Sequence, residues 1–380
     1  MYDLILYDTS NFEDFPIGGQ LTSIRHFLKY LAQYQTEAVG RVLLVGITTE
    51  PEQVGKIQQV RLDGCDFAFL PVLYREKELA NVRSSLRAAY LKALLQYRNS
   101  IPGGRKVLHY FHTPEAYLAV KFLRPMAATA VFSHGSFLQM AENFRFCRDN
   151  ALVKGLFHGF VIWLLKTADM IFVLDRQTEA LYRRYTNKLC LAENSVVIPA
   201  QIPERTQTHS PIRLLFAGRL SAVKGVDTII DAVAAGEGRM TLTVVGDGEE
   251  RENLTRHIRN RRAEAWVTMA GSVPPEKMAE IFPEQDILVM NSTAEGKPMT
   301  ILEAMGYGLP LVSTPVGGIP EMVVPGKSAE FTDGTAEDIL RKVEQVAENY
   351  AAYRWEAREN VKKYDYRTVN AAIWQQLTGL

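Results

Sequence analysis

Glu295 and Glu303 stand with seven residues between them in the stretch NSTAEGKPMTILEAMGYGLPLVSTPVGGIPEM, residues 291–322. Between them, Gly296 and Pro298 mark the turn of a loop into a helix. Pro298 suits a first helical position, where its missing N–H removes a donor the helix never used. The backbone N–H groups of Met299, Thr300 and Ile301 are then expected to be unpaired, and such a start favours an anion such as phosphate. Acids on both sides of an anion site are repulsive unless they grip neutral hydroxyls. The chemistry this points to is a diphosphate held between two polyols, as in a nucleotide sugar. On spacing alone Glu303 is either a hydroxyl ligand or an exposed helix charge, and Lys297 is expected at the surface.

A second constellation lies upstream. In FAGRLSAVKGVDTII the strand ends at Gly218-Arg219, with Lys224-Gly225 within a turn. A guanidinium fork and a compact ammonium at one strand end suit a diphosphate leaving group, although two solvated cations at a strand–helix junction would read the same way. In MAGSVPPEKM the backbone at Ser272 and Val273 either meets the edge of a base or simply starts a helix before Pro274-Pro275. LTVVGDGEE, with Gly246 and Gly248, is a tight turn with a structural role, since Arg251 breaks the dinucleotide-binding glycine pattern. In the first half, Gly18-Gly19 precedes a long helix and allows close backbone approach to a ligand, or forms a plain flexible turn. His134 follows the strand-like TAVFS, where it either donates to a sugar hydroxyl or is a satisfied loop histidine. His109 and His112 have no third partner at metal-ligand spacing and read as cleft wall or helix cap. The chain has no Asp-x-Asp, the oxygen-rich pair a divalent ion on a diphosphate would use. No cofactor and no metal are therefore expected.

These residues need elements to hold them at one edge. Apolar runs at Leu4–Tyr7, Val42–Ile47, Val107–Tyr110, Thr129–Phe132 and Met170–Leu174 read as buried parallel strands, with helix-like stretches at Gln20–Gln33 and Val82–Tyr97 between them. After a polar, proline-bearing segment from Pro199 to Pro211 the alternation restarts with RLLFAG, LTVVG, WVTMAG, DILVMN and LPLVST. The fold class is α/β, two Rossmann-like doubly wound domains in tandem. The first is expected over residues 1–198 and the second over 199–364.

Bulk properties narrow the class. A chain of 380 residues exceeds one ordinary core. Lys+Arg and Asp+Glu are 43 each, which argues against nucleic acid as a partner. Three scattered cysteines, Cys65, Cys147 and Cys190, fit a reduced cytoplasmic compartment. Met1 runs straight into the strand-like YDLILYD, so no signal peptide is expected, and LFHGFVIWLL is too short to span a bilayer.

The C-terminal half resembles the family-4 retaining glycosyltransferases of the GT-B fold. FAGRLSAVKGVDTIIDAV, LTVVGDGEERENL, AGSVPPEKMAEIF and NSTAEGKPMTILEAMGYGLPLVSTPVGGIPEMV occur in the family's order and spacing. The N-terminal half is similar more loosely, through PIGGQLTSIRHFLKYL, His134-Gly135 and KTADMIFVLDRQTEALYRRY, and the tail KKYDYRTVNAAIWQQL resembles the family's final helix, which implies a C-terminal helix at 365–380 packing on the first domain. The resemblance implies two domains facing across a deep cleft, acceptor on the first and donor on the second. It implies that Arg219 and Lys224 hold the diphosphate and that Glu295, with Gly296 and the amides of Met299, Thr300 and Ile301, contacts the transferred sugar and phosphates. Glu303 would take the ribose, Ser272 and Val273 the base, His134 the reaction centre, and Gly18-Gly19 the diphosphate and acceptor. Lys297 departs from the family, which often has Phe or Leu there. So does Ile198-Pro199-Ala200-Gln201, where Ile-Pro-Asn-Gly is usual.

The expected activity is retaining, metal-independent transfer from a nucleoside-diphosphate sugar, UDP-sugar favoured, to a sugar- or lipid-linked hydroxyl in glycan, polysaccharide or glycolipid synthesis. Rival readings are a nucleotide-sugar 2-epimerase of the same fold and a non-catalytic sugar-nucleotide-binding subunit. The first lacks support from GRLSAVKG, and the second would be expected to have lost one of Arg219, Lys224, Glu295, Glu303 or His134. Arg83, Arg87, Lys92 and Arg98 among leucines in 82–98 suggest weak peripheral association with the inner face of a membrane, against the alternative that the leucines face a core.

Overall fold

The computed structural model describes residues 2–13, 19–75, 86–104, 106–143 and 150–380. The chain divides into two compact units, Met1–Glu193 with Arg367–Leu380, and Asn194–Tyr366. Each is a parallel sheet covered by helices on both faces, the doubly wound α/β architecture of the GT-B fold.

The first unit's strands are β1 (Leu4–Tyr7), β2 (Val42–Thr48), β3 (Gln58–Leu62), β4 (Cys65–Tyr74), β5 (Leu108–Phe111), β6 (Ala128–Ser133), β7 (Met170–Val173) and β8 (Leu189–Leu191). They lie in the order β3-β4-β2-β1-β5-β6-β7-β8, parallel throughout except for the antiparallel β3–β4 pair at one edge. Both faces of the central strands are buried, and for this reason they read as continuous apolar runs. Ile5, Tyr7, Leu43, Val45, Phe111 and Val131 join one core with Leu164 and Leu165 from the helix Ala151–Thr167. Phe27, on the helix Gly19–Tyr34, packs edge-on against Tyr110 of β5 and near Trp374 of the helix Tyr366–Thr378.

The second unit contains β9 (Ile212–Ala217), β10 (Met240–Val245), β11 (Val267–Gly271), β12 (Ile287–Met290), β13 (Leu311–Ser313) and β14 (Ala329–Phe331), in the parallel order β11-β10-β9-β12-β13-β14. Alternate residues of β9 face opposite cores, Leu214 and Phe216 one and Leu215 and Ala217 the other.

No helix among the described residues is long and apolar enough to cross a membrane. The cationic stretch at 82–98 is described only from Leu86, as the helix Leu86–Gln96, and Arg83 lies outside the described residues. Leu94 of that helix is in the first unit's core and Leu91 and Leu95 pack against it. Arg87 donates to Glu115 at 2.9 Å. The helix's apolar side is thus spent on the fold, as amphipathic surface helices ordinarily are.

Candidate active site

In a doubly wound sheet, ligands gather beyond the carboxyl ends of strands where the strand order reverses. The second unit's reversal lies between β9 and β12, since β10 and β11 run outward on one side and β13 and β14 on the other. Arg219 and Lys224 follow β9, and Ser292 and Glu295 follow β12. Topology therefore brings together side chains some seventy residues apart in sequence.

Local packing fixes how they meet. Gly225 has φ +57°, and a Cβ there would lie 2.5 Å from the Asn291 carbonyl oxygen, so only glycine lets the two loops touch. Thr293 N–H donates to Val223 O at 2.8 Å, sealing the same contact. Lys224 Nζ then reaches Glu295 Oε1 at 2.6 Å, and Ser292 Oγ donates to the same oxygen at 2.6 Å. The Glu295 side chain is 8% exposed and that of Lys224 21%. The loop bearing Glu295 is held from behind by the turn at Gly317-Gly318. Gly318 N–H donates to Gly296 O at 2.9 Å. Gly317 has φ +56°, and a Cβ on it would fall 1.8 Å from the Glu295 carbonyl oxygen. The VGGIP segment is thus a mould for the EGK loop.

Arg219 behaves differently. Its side chain is 75% exposed and pairs with Glu249 at 3.1 Å. The turn after β10 places that partner: Gly218 N–H donates to Val245 O and Leu220 N–H to Asp247 O. The GDGEE turn accordingly has a structural role, orienting the Arg219 loop.

The helix Met299–Gly306 begins with Pro298 at the N-cap, not at the first helical position, and no side chain caps it. Met299 and Thr300 N–H have no partner among the described residues. Ile301 N–H does not join them, because it donates to Pro298 O at 3.2 Å. The expected triad of free amides is a pair. Glu303, one turn on, has no hydrogen-bond or ion partner among the described residues, and burial lifts its carboxyl to about 7. An unpaired, half-buried acid is poised to bond hydroxyls.

Lys297 corrects the surface reading. Its side chain is 1% exposed and pairs with Glu321 at 3.2 Å. Its carbonyl accepts from Asn194 Nδ2 at 2.7 Å. It anchors the EGK loop to the segment that backs it, which is why a cation stands there. Ser272 is exposed in the loop between β11 and the helix Pro275–Ile281, while Val273 packs on the core below.

In the first unit the strand order reverses between β1 and β5, and Asp8 and His112 follow those strands. Asp8 is buried and accepts from Ser10 Oγ and from Gln20 Nε2. Burial raises its carboxyl to about 6 against those two bonds. His112 Nδ1 lies 2.8 Å from His134 Nε2. Burial pushes His134 down to about 3 and His112 well below its ordinary value, so both rings are neutral. His109 is neither wall nor cap: it is fully buried in β5 and bonds Tyr7 at 2.8 Å. Gly19 opens the helix Gly19–Tyr34, and Gly18 lies outside the described residues. Among the described residues no three His, Cys, Asp or Glu side chains converge as metal ligands would.

Sequence reasoning passed over Asp8, Ser292 and Glu249. Asp8 had a readable signal, being the first polar residue after a buried strand. Ser292 and Glu249 matter only through the partners the fold brings to them.

Residues 198–368 match the model of the family Glycosyl transferases group 1. That match covers almost the whole of the second unit. A lipopolysaccharide 1,6-galactosyltransferase of Salmonella typhimurium is 29% identical over 194 residues, 48% of this chain and 53% of that protein. The GtfA subunit of a UDP-N-acetylglucosamine–peptide N-acetylglucosaminyltransferase of Streptococcus pneumoniae is 24% identical over 216 residues, 53% of this chain and 42% of that one. The chain thus spans about half the length of these curated relatives. Over whole chains the fold is similar to that of sucrose-phosphate synthase from Thermosynechococcus elongatus, with TM-score 0.79, 17% identity, and 100% and 99% of the two chains covered. It is also similar to Anabaena HepE solved with UDP and glucose, with TM-score 0.71, 18% identity and full coverage of both. The matched segment includes Arg219, Lys224, Ser272, Val273, Glu295, Gly296, Met299, Thr300, Ile301 and Glu303.

Proposed function

We propose that this chain is a retaining family-4 glycosyltransferase that takes a nucleoside-diphosphate sugar, UDP-sugar favoured, and needs no metal. The observation that carries the reading is the Lys224–Glu295–Ser292 cluster at the second sheet's reversal, with two free helix amides and the unpartnered Glu303 beside it. Its charge layout alternates cation and amide donors with carboxylates, as a diphosphate flanked by two sugars requires. Arg219 and Lys224 hold the diphosphate and stabilise the negative charge that grows on it as the glycosidic bond breaks. Glu295 grips the transferred sugar, Glu303 the ribose, and the free backbone at Ser272 and Val273 the base.

The first unit presents the acceptor, a sugar- or lipid-linked hydroxyl, in glycan, polysaccharide or glycolipid synthesis. Without a carboxylate nucleophile, attack comes on the face the diphosphate leaves, and a departing phosphate oxygen takes the acceptor's proton. The HepE structure with UDP and glucose and the GtfA subunit's UDP-N-acetylglucosamine activity are properties of those proteins, and they motivate testing UDP-sugars first.

The test is a panel of nucleotide sugars, assayed by thermal shift and by slow hydrolysis. A donor that raises Tm and is cleaved to nucleotide and free sugar supports the reading. An altered sugar indicates an epimerase. A Tm shift with no turnover on any donor or acceptor indicates a binding subunit.

A further inference from the structure

His112 Nδ1 and His134 Nε2 are 2.8 Å apart, so one ring donates and the other accepts. Two arrangements satisfy that distance. In one, His112 carries its proton on Nδ1 and gives it to His134, whose own proton must then sit on Nδ1. In the other, His134 donates from Nε2, and His112 carries its proton on Nε2.

The surroundings of His112 distinguish them. The residue is 4% exposed, and its Nε2 is buried without a hydrogen-bond partner among the described residues. Its ring stacks on Phe132, with centroids 5.5 Å apart, and Tyr110 meets it edge-on. The second arrangement would bury an N–H with no acceptor, which forfeits the donor's solvation. The first leaves only a ring lone pair without a donor, and orphaned buried N–H groups are the rarer case. Neither ring carries charge, because burial depresses both, so a single proton lies between them.

We propose that His112 is a positioning residue: its Nδ1–H holds the His134 ring at Nε2 and fixes the His134 proton on Nδ1. His134 then keeps one N–H, on Nδ1, and no free lone pair. The functional half rests on the reading that His134 meets the donor sugar. There His134 serves as a hydrogen-bond donor to a sugar oxygen and cannot be a base, since its only lone pair is already occupied. The acceptor's proton must go elsewhere, as it does when a phosphate oxygen of the leaving group takes it.

The test is nitrogen-15 NMR of histidine side chains in the full, ligand-free chain, which has seven histidines. A His134→Gln variant assigns the His134 signals. The expected wild-type result is a pyrrole-like Nδ1 and a pyridine-like Nε2 for His134, unchanged between pH 5 and pH 8. His112→Phe, which keeps a ring but has no donor, should release His134 to the solvent-favoured tautomer with its proton on Nε2. His112→Asn can place an amide N–H where Nδ1 stood and should retain the wild-type pattern. A pyridine-like Nδ1 on wild-type His134 overturns the assignment without any variant. So does an unchanged tautomer in a folded His112→Phe. With a donor in hand, His112→Phe should lower kcat by about tenfold or more with KM little changed, and His112→Asn should recover most of it. The expected tautomers with an insensitive kcat would keep the proton assignment and overturn the role of His134 in the reaction.

Discussion

Lys224 Nζ and Glu295 Oε1 lie 2.6 Å apart, and each is the other's principal charge partner across two loops that leave adjacent strands. The pair is close and mostly out of water, so each charge is costly to leave alone. It also adds a side-chain tie between two loops that the Thr293–Val223 bond and the close approach of Gly225 to Asn291 already join. Changes to either residue should therefore be felt on both sides of the donor.

Glu295→Ala should nearly abolish transfer while the chain stays folded. A carboxylate bonded to sugar hydroxyls is worth about 1.5–3 kcal/mol per bond. Lys224, 21% exposed, can turn to water, which limits the loss of stability to about 1–2 kcal/mol. Turnover and denaturant unfolding measured on the same preparation check this. Transfer within a fewfold of wild type would remove Glu295 from the site.

Arg219→Ala and Lys224→Ala should both lower kcat, because preorganised cations act most on the departing diphosphate. Their stabilities should differ. The Arg219–Glu249 pair is exposed and contributes little, whereas losing Lys224 strands a Glu295 side chain only 8% exposed. Arg219→Ala should keep the wild-type Tm, and Lys224→Ala should lower it. A rise in KM with kcat untouched would contradict the assignment for either residue.

Glu303 makes stability depend on pH. Burial raises its folded value to about 7 from 4.5, so the folded state holds this proton more tightly than the unfolded chain. The advantage is full below about pH 4.5 and is lost as pH climbs through 7. Glu303→Gln should match wild type near pH 4 and exceed it by about 1–3 kcal/mol at pH 8. It should also weaken nucleotide binding. Denaturant curves at both pH values decide the matter, and equal differences at the two would show that the carboxyl is not desolvated.

Lys297→Ala should destabilise the second unit by about 2–4 kcal/mol, since it removes a side chain only 1% exposed together with its ion pair to Glu321. A loss under about 0.5 kcal/mol would place Lys297 back on the surface.

Transfer should persist in excess EDTA, because Lys224, Arg219 and two helix amides are available to the diphosphate. Loss on chelation that magnesium or manganese restores would overturn the metal-free reading.

The central strands were legible because burial on both faces writes them as unbroken apolar runs; β1 occupies Leu4–Tyr7, as its sequence predicts. The edge was not. β3, QQVRL, alternates polar and apolar because one face meets water, and β4 carries Pro71 inside it. At the site, Glu295, Glu303 and Lys224 declare themselves by type and by nearness to glycine turns. Lys297 could not, since a lysine beside a loop glycine looks solvated until Gly317-Gly318, twenty residues on, folds over it. The bond that claims Ile301 N–H follows from Pro298 sitting one place earlier than its sequence suggests, a shift no propensity resolves.

Arg367–Leu380 belong to the first unit although they follow the whole of the second. Ile373 and Leu377 are buried, and Trp374 lies near Phe27 with ring centroids 6.4 Å apart. On a ribosome the leading domain is ordinarily finished first. Here the order inverts. Residues 194–366 have all been added before the first unit receives the helix beside Phe27. At common synthesis rates that leaves the nascent face open for roughly 10–40 s. A premature stop near the end of the message would spare the later-made unit and cripple the earlier-made one.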